Sequence, residues 1–185
     1  KTKATFMTIC RYNEKWCYAV CSPNSDLYIL DYQNLKETNH FTVVNDRLLK
    51  FFYHYESESI VMIFSRKTIL FDLKKGQIGD VLSIEGNNVT SLFANMLKYG
   101  YESGYIAHVE IENGKLIATD KNGMQRPHSE AVSCFSFSLC FWISVGVDGK
   151  VIFWNYANEK IYQLSFPIAL RIGAIMNGKR DVLVA

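Results

Sequence analysis

Short apolar runs, each bounded by polar or turn-forming residues, recur along the whole chain. Alternation of apolar and polar residues with a period of two is typical of half-buried β-strands. The clearest set of such runs lies between residues 126 and 166, and its members are Val132–Phe137, Phe141–Val147, Lys150–Asn155 and Ile161–Phe166. We predict that these four runs form one antiparallel four-stranded sheet.

The connection between the second and third of these runs is Asp148-Gly149. This dipeptide predicts a two-residue hairpin, because glycine tolerates positive φ and the tight turn matches the twist of the flanking strands. Successive side chains of a strand point to opposite faces of a sheet. The alternation therefore predicts that Val132, Cys134 and Ser136 share one face of the first strand.

Residues 126–166 resemble one repeat of the WD family of β-propellers. The residues that carry the resemblance are His128, Ser144, Asp148, Gly149, Trp154 and Asn155, the last of which stands where the family usually has Asp. The resemblance implies that His128, Ser144, Asp148 and Trp154 form a hydrogen-bonded tetrad inside the blade. Its implied role is structural, because buried polar groups that satisfy one another fix the register of the strands around them.

An aliphatic or aromatic residue followed by an acid or its amide ends a β-type run four times along the chain. The four pairs are Leu30-Asp31, Phe71-Asp72, Val109-Glu110 and Trp154-Asn155. Their second members are 41, 38 and 45 residues apart, which agrees with the roughly 40–45 residue period of a propeller blade. We therefore predict an all-β, WD40-type β-propeller, of which residues 1–185 form a single portion.

The period divides the chain into about four complete four-stranded blades and part of a fifth. The predicted limits are about 5–44, 45–86, 87–122 and 123–166 for the complete blades and 167–185 for the partial blade. Turn-forming residues outside the strands are Gly86-Asn87-Asn88, Lys121-Asn122-Gly123 and Asn177-Gly178.

Three stretches fit the pattern less well. Thr42–Val44 is predicted as the outer strand of the first blade. Residues 48–55 have helical spacing, but their aromatic content and flanking runs favour a strand. In the third blade Gly100 and Gly104 precede the predicted strand Tyr105–Val109.

The number of blades is lower than that of a typical seven-bladed ring, and an unclosed ring exposes unpaired backbone groups at its edges. We therefore expect the chain to be part of a longer protein that completes the ring. The first residues, Lys1-Thr2-Lys3, do not begin with Met, which favours the same interpretation. The alternative is that a partner protein supplies the remaining strands.

Composition supports a packed domain and limits the classes of partner. Of the 185 residues, 49% are apolar and 14% aromatic, and only 3 are proline, which argues against long disordered segments. The sequence contains no run of 18 apolar residues and no secretory leader, so we expect no membrane partner. The net charge of +2 is too small to indicate nucleic acid, although scattered lysines and arginines keep RNA as an alternative partner.

The sequence contains no recognisable catalytic or dinucleotide-binding motif. The four histidines, His40, His54, His108 and His128, are too dispersed to predict a metal site. The five cysteines match no zinc spacing, and their odd number favours a reduced, intracellular protein. We therefore predict a non-enzymatic protein with no cofactor, no metal and no small-molecule substrate.

A second resemblance narrows the type of propeller. Residues 60–74 resemble one blade of the mitotic-checkpoint and mRNA-export propellers, which reads roughly LIVGTAGRRVLVWDLR. Residues 103–110, 127–129 and 145–155 are similar to later segments of that family, which include EGRVAVEY, a CHR-type element and GGSDGFVNIWD. Members of the family are non-enzymatic adaptors that bind a short peptide motif, called GLEBS, of checkpoint kinases and of a nucleoporin.

This resemblance implies a partner-binding site on the top face of the propeller, where basic residues receive acidic side chains through charge-assisted hydrogen bonds. The positions carried over are Arg66, Lys67, Tyr105 and Arg126. The sequence departs from the family at Tyr105 and Ser129, where the family has arginine, so a different peptide is an alternative ligand.

The family also implies a setting in the cell. We expect a nuclear protein, associated with kinetochores or nuclear pores, rather than a cytoplasmic one. The alternative function is that of a structural WD40 subunit in a larger coat, pore or RNA-processing assembly.

Overall fold

The computed structural model describes residues 6–83, 89–93, 97–118, 126–175 and 182–184. Within these ranges every regular element is a β-strand, so the structure contains no helix there that could cross a membrane. The turns predicted at residues 86–88, 121–123 and 177–178 lie outside the described residues.

Four antiparallel sheets of four strands follow one another along the chain, each with its strands in sequence order across the sheet. The first contains β1 (Phe6–Tyr12), β2 (Lys15–Cys21), β3 (Asp26–Asp31) and β4 (Glu37–Thr42). The second contains β5 (Leu48–His54), β6 (Ser59–Phe64), β7 (Lys67–Asp72) and β8 (Gln77–Ser83). The third contains β9 (Val89–Phe93), β10 (Lys98–Tyr101), β11 (Ile106–Glu112) and β12 (Lys115–Ala118). The fourth contains β13 (Val132–Phe137), β14 (Trp142–Gly146), β15 (Lys150–Trp154) and β16 (Lys160–Ser165), and β17 (Gly173–Ile175) pairs with β18 (Val182–Val184) in a fifth sheet.

This architecture confirms the predicted all-β fold, with four complete four-stranded sheets and part of a fifth. The strand β5 confirms that residues 48–54 are β rather than helical. The prediction of an outer strand at Thr42–Val44 is wrong, because β4 occupies Glu37–Thr42. The chain returns at once after β3, since the N–H of Asp31 donates to the carbonyl of Lys36 at 2.9 Å and closes a short turn.

The strand β10 was not predicted, because its central residue is Gly100. A Cβ atom at this position would lie 2.2 Å from Ser91 Oγ and 2.6 Å from Val132 Cβ. Glycine inside a strand often marks such a close approach of neighbouring groups rather than the end of the strand. The glycine is therefore part of the packing of the third sheet.

The chain divides into two compact units. The first comprises residues 1–85 with 111–117, and the second comprises residues 86–110 with 118–185. In the first unit, one side of the first sheet packs against the second sheet in a core that includes Cys10, Ala19, Ile29, Ile60, Met62 and Phe71. In the second unit, the fourth sheet has an apolar cluster on each side, one around Trp142 and Trp154 and the other around Ile143 and Val145.

In three of the four-stranded sheets, a polar side chain at the end of the third strand caps the turn that follows. The strands are β3, β7 and β15. Asp31 Oδ1 accepts hydrogen bonds from two backbone N–H groups of its turn, at 2.9 and 3.0 Å. Asp72 Oδ1 accepts one at 3.0 Å, and Asn155 Oδ1 accepts one at 2.8 Å. An acid or an amide serves equally as the acceptor in such a turn. This shared role explains why the residue pair repeats along the sequence.

The third sheet departs from this arrangement. Glu110 lies inside β11, which continues to Glu112, so the prediction that Val109-Glu110 ends a strand is wrong. The turn to β12 is formed by Asn113 and Gly114, whose φ values of 51° and 74° fit a type I′ hairpin. This dipeptide reverses the chain by its own backbone preference, so no capping carboxylate is required.

The hairpin between β14 and β15 has three loop residues rather than two. β14 ends at Gly146, and β15 begins at Lys150. The N–H of Gly149 donates to the carbonyl of Gly146 at 3.1 Å. Gly149 has a φ of 75°, as expected where a tight turn is followed by a left-handed residue. The two-residue Asp148-Gly149 turn is therefore a wrong prediction, although the glycine still supplies the positive φ.

A β-bulge in β13 overturns the predicted alternation of its faces. Val132 pairs with Gly146 and Cys134 pairs with Val145, so Ser133 is an extra residue between them. The bulge turns Val132 toward the aromatic cluster of the fourth sheet, whereas Cys134 packs into the cluster on the opposite side. The prediction that Val132 and Cys134 share a face is therefore wrong.

Gly104→Ala is expected to destabilise the protein more than Gly114→Ala, although both glycines have positive φ, 85° and 74°. A Cβ at Gly104 would lie 2.1 Å from the carbonyl oxygen of His128, whereas no described atom lies within 4 Å of one at Gly114. Gly114→Ala then bears only the left-handed backbone cost of about 1–2 kcal/mol. We expect Gly104→Ala to cost about 2 kcal/mol more in urea unfolding. Equal losses would show that the loop at His128 yields to the added methyl group.

Candidate functional site

His128, Ser144, Asp148 and Trp154 form one hydrogen-bonded chain in the fourth sheet and the loop that precedes it. His128 Nδ1 lies 2.9 Å from Asp148 Oδ1, and His128 Nε2 lies 2.9 Å from Ser144 Oγ. Trp154 Nε1 lies 3.0 Å from the same Ser144 Oγ. The four side chains are no more than 4% exposed. The structure thus brings together all four residues that the WD resemblance assigns to a tetrad.

The direction of these hydrogen bonds follows from which groups can donate. The indole N–H of Trp154 only donates, so the Ser144 hydroxyl accepts from it and donates its own proton to His128 Nε2. His128 is then neutral and donates from Nδ1 to the carboxylate of Asp148. Burial lowers the pKa of His128 and outweighs the opposing effect of Asp148. The chain therefore runs in one direction, from indole to carboxylate.

Asp148 connects this chain to the loop before β13. Its Oδ2 accepts a hydrogen bond from the N–H of Ser129 at 2.9 Å, and its Oδ1 accepts one from the N–H of Lys150 at 3.2 Å. Burial by itself would raise the pKa of Asp148, but hydrogen bonds from His128 and from these backbone groups outweigh it and lower the pKa to about 2. A carboxylate that stays ionised therefore fixes the position of Ser129.

Arg126 lies in the same loop, and backbone carbonyls hold its guanidinium group. Arg126 Nε donates to the carbonyl of Ser103 at 3.1 Å, and Nη2 donates to that of Ser129 at 3.5 Å. The guanidinium carbon lies 5.8 Å from the ring centre of Tyr105, within range of a cation–π contact. The structure thus brings together Arg126 and Tyr105, two of the four predicted binding residues. Arg126 is exposed and Tyr105 is half-buried.

The other two predicted binding residues, Arg66 and Lys67, belong to the first unit and lie at the turn between β6 and β7. The ammonium group of Lys67 lies 3.2 Å from a carboxylate oxygen of Asp46 and 5.3 Å from the ring centre of Phe64. Its charge is therefore partly neutralised within the unit. Arg66 is exposed.

No sequence pattern indicates the main partners of Arg126, because they are backbone carbonyls rather than side chains. It also did not point to Lys98, whose side chain is 1% exposed at the start of β10. Its ammonium group donates to Asn158 Oδ1 at 2.6 Å and lies 4.3 Å from the ring centre of Trp142. The one signal was a lysine flanked directly by the apolar residues Leu97 and Tyr99.

Two further properties of the described residues concern metal binding and a cavity. Among them, no group of three or more His, Cys, Asp or Glu side chains is placed to hold a metal ion. A cavity of about 420 Å³ in the first unit is lined by Arg11, Tyr12, Asn13, Glu14, Glu58, Leu73 and Lys74. This lining contains no serine, cysteine or histidine that could act as a nucleophile or a neutral base.

Comparison with known proteins identifies the fold. No protein-family model and no curated protein matches this sequence. The chain is similar in structure to Sqt1 of Saccharomyces cerevisiae, a WD40 propeller protein, with a TM-score of 0.65 and 12% sequence identity. The similarity covers 89% of this chain and 49% of Sqt1, so the chain spans about half the length of that protein. Together with its successive four-stranded antiparallel sheets, this likeness shows that the chain has a WD40-type β-propeller fold.

Proposed function

We propose that this chain is a non-enzymatic scaffold that binds a peptide segment of a partner protein around Arg126. The observation that carries the proposal is the guanidinium group of Arg126, which two carbonyls and the Tyr105 ring hold in an exposed loop. An arginine held in this way loses little side-chain entropy on binding, and its planar group can donate two parallel hydrogen bonds to one carboxylate. We call the surface of Ser103, Tyr105, Arg126 and Ser129 the arginine surface.

The charges near the arginine surface favour a peptide with few, well-placed acidic side chains. Asp148 does not neutralise the charge of Arg126. Its carboxylate is only 4% exposed and is already paired with His128 and Lys150. Glu102 precedes Ser103 in the sequence, and Glu130 follows Ser129. These two carboxylates would repel a long acidic tract. A single carboxylate opposite Arg126 is therefore the best-matched ligand group. The resemblance to the checkpoint and mRNA-export propellers supports a GLEBS-type peptide as that ligand.

The buried tetrad supports this surface from below. Asp148 holds the N–H of Ser129, and the carbonyl of Ser129 accepts from Arg126. We assign the tetrad a structural role, in which an ionised, buried carboxylate keeps the loop in the shape that orients Arg126. The Tyr105 ring then forms an apolar side to the same surface.

Arg126→Ala is expected to weaken the binding of a fluorescein-labelled GLEBS-type peptide at least about tenfold, because a hydrogen bond to a charged group contributes about 1.5–3 kcal/mol. Fluorescence anisotropy at several salt concentrations measures the affinity. Arg171→Ala removes another exposed arginine of the second unit and is the matched control. We expect it to leave the affinity within about twofold of the parent.

A second peptide, in which the glutamates of the first are replaced by glutamines, tests the role of the carboxylates. Tighter binding of the acidic peptide, lost in Arg126→Ala, supports the proposal. Equal binding of both peptides, or equal affinities of Arg126→Ala and Arg171→Ala, contradicts it. Displacement of the peptide by single-stranded RNA, with a steep salt dependence, would assign the arginine surface to RNA instead.

A further inference from the structure

Ser129 is an exposed residue of the arginine surface, and its hydroxyl group lies near two cations. Ser129 Oγ lies 3.3 Å from Asp148 Oδ2, and Lys150 Nζ lies 3.2 Å from the same oxygen. On its other side, the carbonyl of Ser129 accepts a hydrogen bond from Arg126 Nη2 at 3.5 Å. An anionic group attached to Ser129 Oγ would therefore be within reach of a guanidinium and an ammonium group.

The sequence before Ser129 matches the recognition pattern of one class of protein kinase. Arg126 precedes Ser129 by three residues, and none of the other five arginines has a serine or threonine three residues after it. Kinases of the basic-directed class bind an arginine at this distance through carboxylates beside their active site. Ser129 also lies outside the strands, in the loop before β13.

We propose that Ser129 is a phosphorylation site and that its phosphate pairs with Arg126 and Lys150, which closes the arginine surface to an acidic peptide. In the transfer, Ser129 Oγ forms a bond to the γ-phosphorus of a nucleoside triphosphate held by the kinase, and the bond from that phosphorus to the oxygen shared with the β-phosphate breaks. The nucleoside diphosphate leaves, and the hydroxyl proton passes to a carboxylate of the kinase. The effect on the peptide rests on the proposed function, whereas the phosphate site itself does not.

The surroundings of Ser129 accommodate a phosphate without loss of the backbone anchor. The N–H of Ser129 stays bonded to Asp148 Oδ2 at 2.9 Å, and the side chain gives up only its hydroxyl contact with that oxygen. Because the carboxylate of Asp148 repels the phosphate, rotation about the Cα–Cβ bond of Ser129 turns the phosphate outward, to Arg126. The side chain of Lys150 is 31% exposed and can follow it. A phosphate has three strong acceptor oxygens, which match the planar guanidinium group.

The loop must open before a kinase can act on it. A kinase binds its substrate segment in an extended form, whereas His128, between Arg126 and Ser129, is 1% exposed in the tetrad. Transfer therefore takes place while His128 is released from the fourth sheet by local opening. The phosphate reaches Arg126 when the loop closes again.

A kinase reaction on the folded chain tests the site. The reagents are a calcium/calmodulin-dependent protein kinase that selects arginine at this distance, calmodulin, calcium ions and ATP, and mass spectrometry locates the phosphate. We expect one phosphate per chain, at Ser129, and none on Ser129→Ala. Arg126→Ala is expected to react at least about tenfold more slowly, whereas Arg171→Ala, which removes another exposed arginine, reacts like the parent. Phosphate at another residue, or none at Ser129, overturns the assignment.

Genetically encoded phosphoserine in place of Ser129 tests the pairing without a kinase or a peptide. Phosphorus NMR measures the second pKa of the phosphate, which is about 6 for an unpaired phosphoserine. We expect a pKa of about 5.5 or lower in the parent, because nearby cations favour the dianion, and a return toward about 6 in Arg126→Ala. Phosphoserine in place of Ser165, an exposed residue of β16, is the matched control and is expected to keep a pKa of about 6. Equal pKa values in the parent and in Arg126→Ala overturn the pairing.

Fluorescence anisotropy with the labelled GLEBS-type peptide tests the closure of the arginine surface. Phosphoserine in place of Ser129 is expected to weaken binding at least about tenfold, and phosphoserine in place of Ser165 by no more than about twofold. A peptide that binds equally well with and without the phosphate at position 129 overturns the closure. A peptide that does not bind even the unmodified parent contradicts the proposed function, and the kinase reaction and the NMR titration then still decide whether Ser129 is a phosphate site.

Discussion

Ser144→Ala is expected to lower the free energy of unfolding by about 2–6 kcal/mol. The Ser144 hydroxyl links Trp154 to His128. It accepts a hydrogen bond from the indole N–H and donates one to the imidazole. Alanine leaves both of these buried groups without that partner. A buried polar group without a hydrogen bond costs about 1–3 kcal/mol, and here two groups are affected.

Ser133→Ala is the matched control for this loss, because it removes the same atom from the same sheet. The Ser133 hydroxyl donates to the carbonyl of Val145 at 3.0 Å at a half-buried position, and no buried donor depends on it. We expect a loss of no more than about 1 kcal/mol. Urea unfolding followed by tryptophan fluorescence measures both variants. Equal losses would show that the tetrad contributes no more than an ordinary hydrogen bond.

The same network makes stability depend on acid pH. The pKa of His128 is lowered by burial, and the pKa of Asp148 is about 2 because its hydrogen bonds outweigh the effect of burial. The unfolded chain therefore binds protons at these residues at a higher pH than the folded protein. This contribution is complete at neutral pH and is lost as pH falls, first below about 6.5 and then between about 4 and 2. His128 is present in both the parent and Asp148→Asn, so the difference in stability between them is expected to shrink only between about pH 4 and 2, where Asp148 takes up its proton.

The period of the fold could be predicted because it rests on a local contact. Asp31, Asp72 and Asn155 each cap the turn after a third strand, so their spacing records the spacing of the sheets. Glu110 led to a wrong strand end. It is an acid after an aliphatic residue, like Asp31, but it lies two residues before the end of β11. The Asn113-Gly114 turn was the better local signal there.

The sequence predicts the residues of the tetrad but not the contacts of the arginine surface. The resemblance pointed to all four tetrad residues, and the register of the β14–β15 hairpin brings Ser144 and Trp154 within reach of each other. Arg126 depends on the carbonyls of Ser103 and Ser129, which any residue types would provide. Its surroundings are therefore a property of loop shape, which a sequence pattern does not record. The bulge at Ser133 is of the same kind, since no residue type there requires it.

Lys98 is the residue whose observed burial differs most from what its residue type predicts. Lysine is rarely buried unless it is paired, yet this side chain is 1% exposed, with Asn158 and the Trp142 ring as its contacts. Burial lowers the pKa of Lys98 to about 8, and the charge of Glu110 offsets only part of this effect. The folded protein therefore holds a charge at neutral pH that it would release more readily than the unfolded chain does.

Lys98→Met is expected to be as stable as the parent, or more stable, at pH 7 and to lose this advantage as pH rises. Between about pH 8 and pH 10.4 the unfolded chain binds the proton of Lys98 and the folded protein does not, so the parent gains stability with pH. The shift corresponds to about 3 kcal/mol over this range. Buried thiols oppose this gain at high pH, because burial raises the pKa of Cys10 and of Cys21 to about 12.

The difference between the two proteins isolates the lysine, because both contain the same cysteines. Urea unfolding at a series of pH values from 7 to 10.5 should show the stability of Lys98→Met falling relative to the parent by about 3 kcal/mol. Lys160→Met removes an exposed lysine of β16 and is the control. A constant difference for Lys98→Met, or the same trend in both variants, would mean that the Lys98 ammonium group is solvated in the folded protein. The expected trend would instead show that the Trp142 ring and the Asn158 amide do not replace the water that this charge loses on folding.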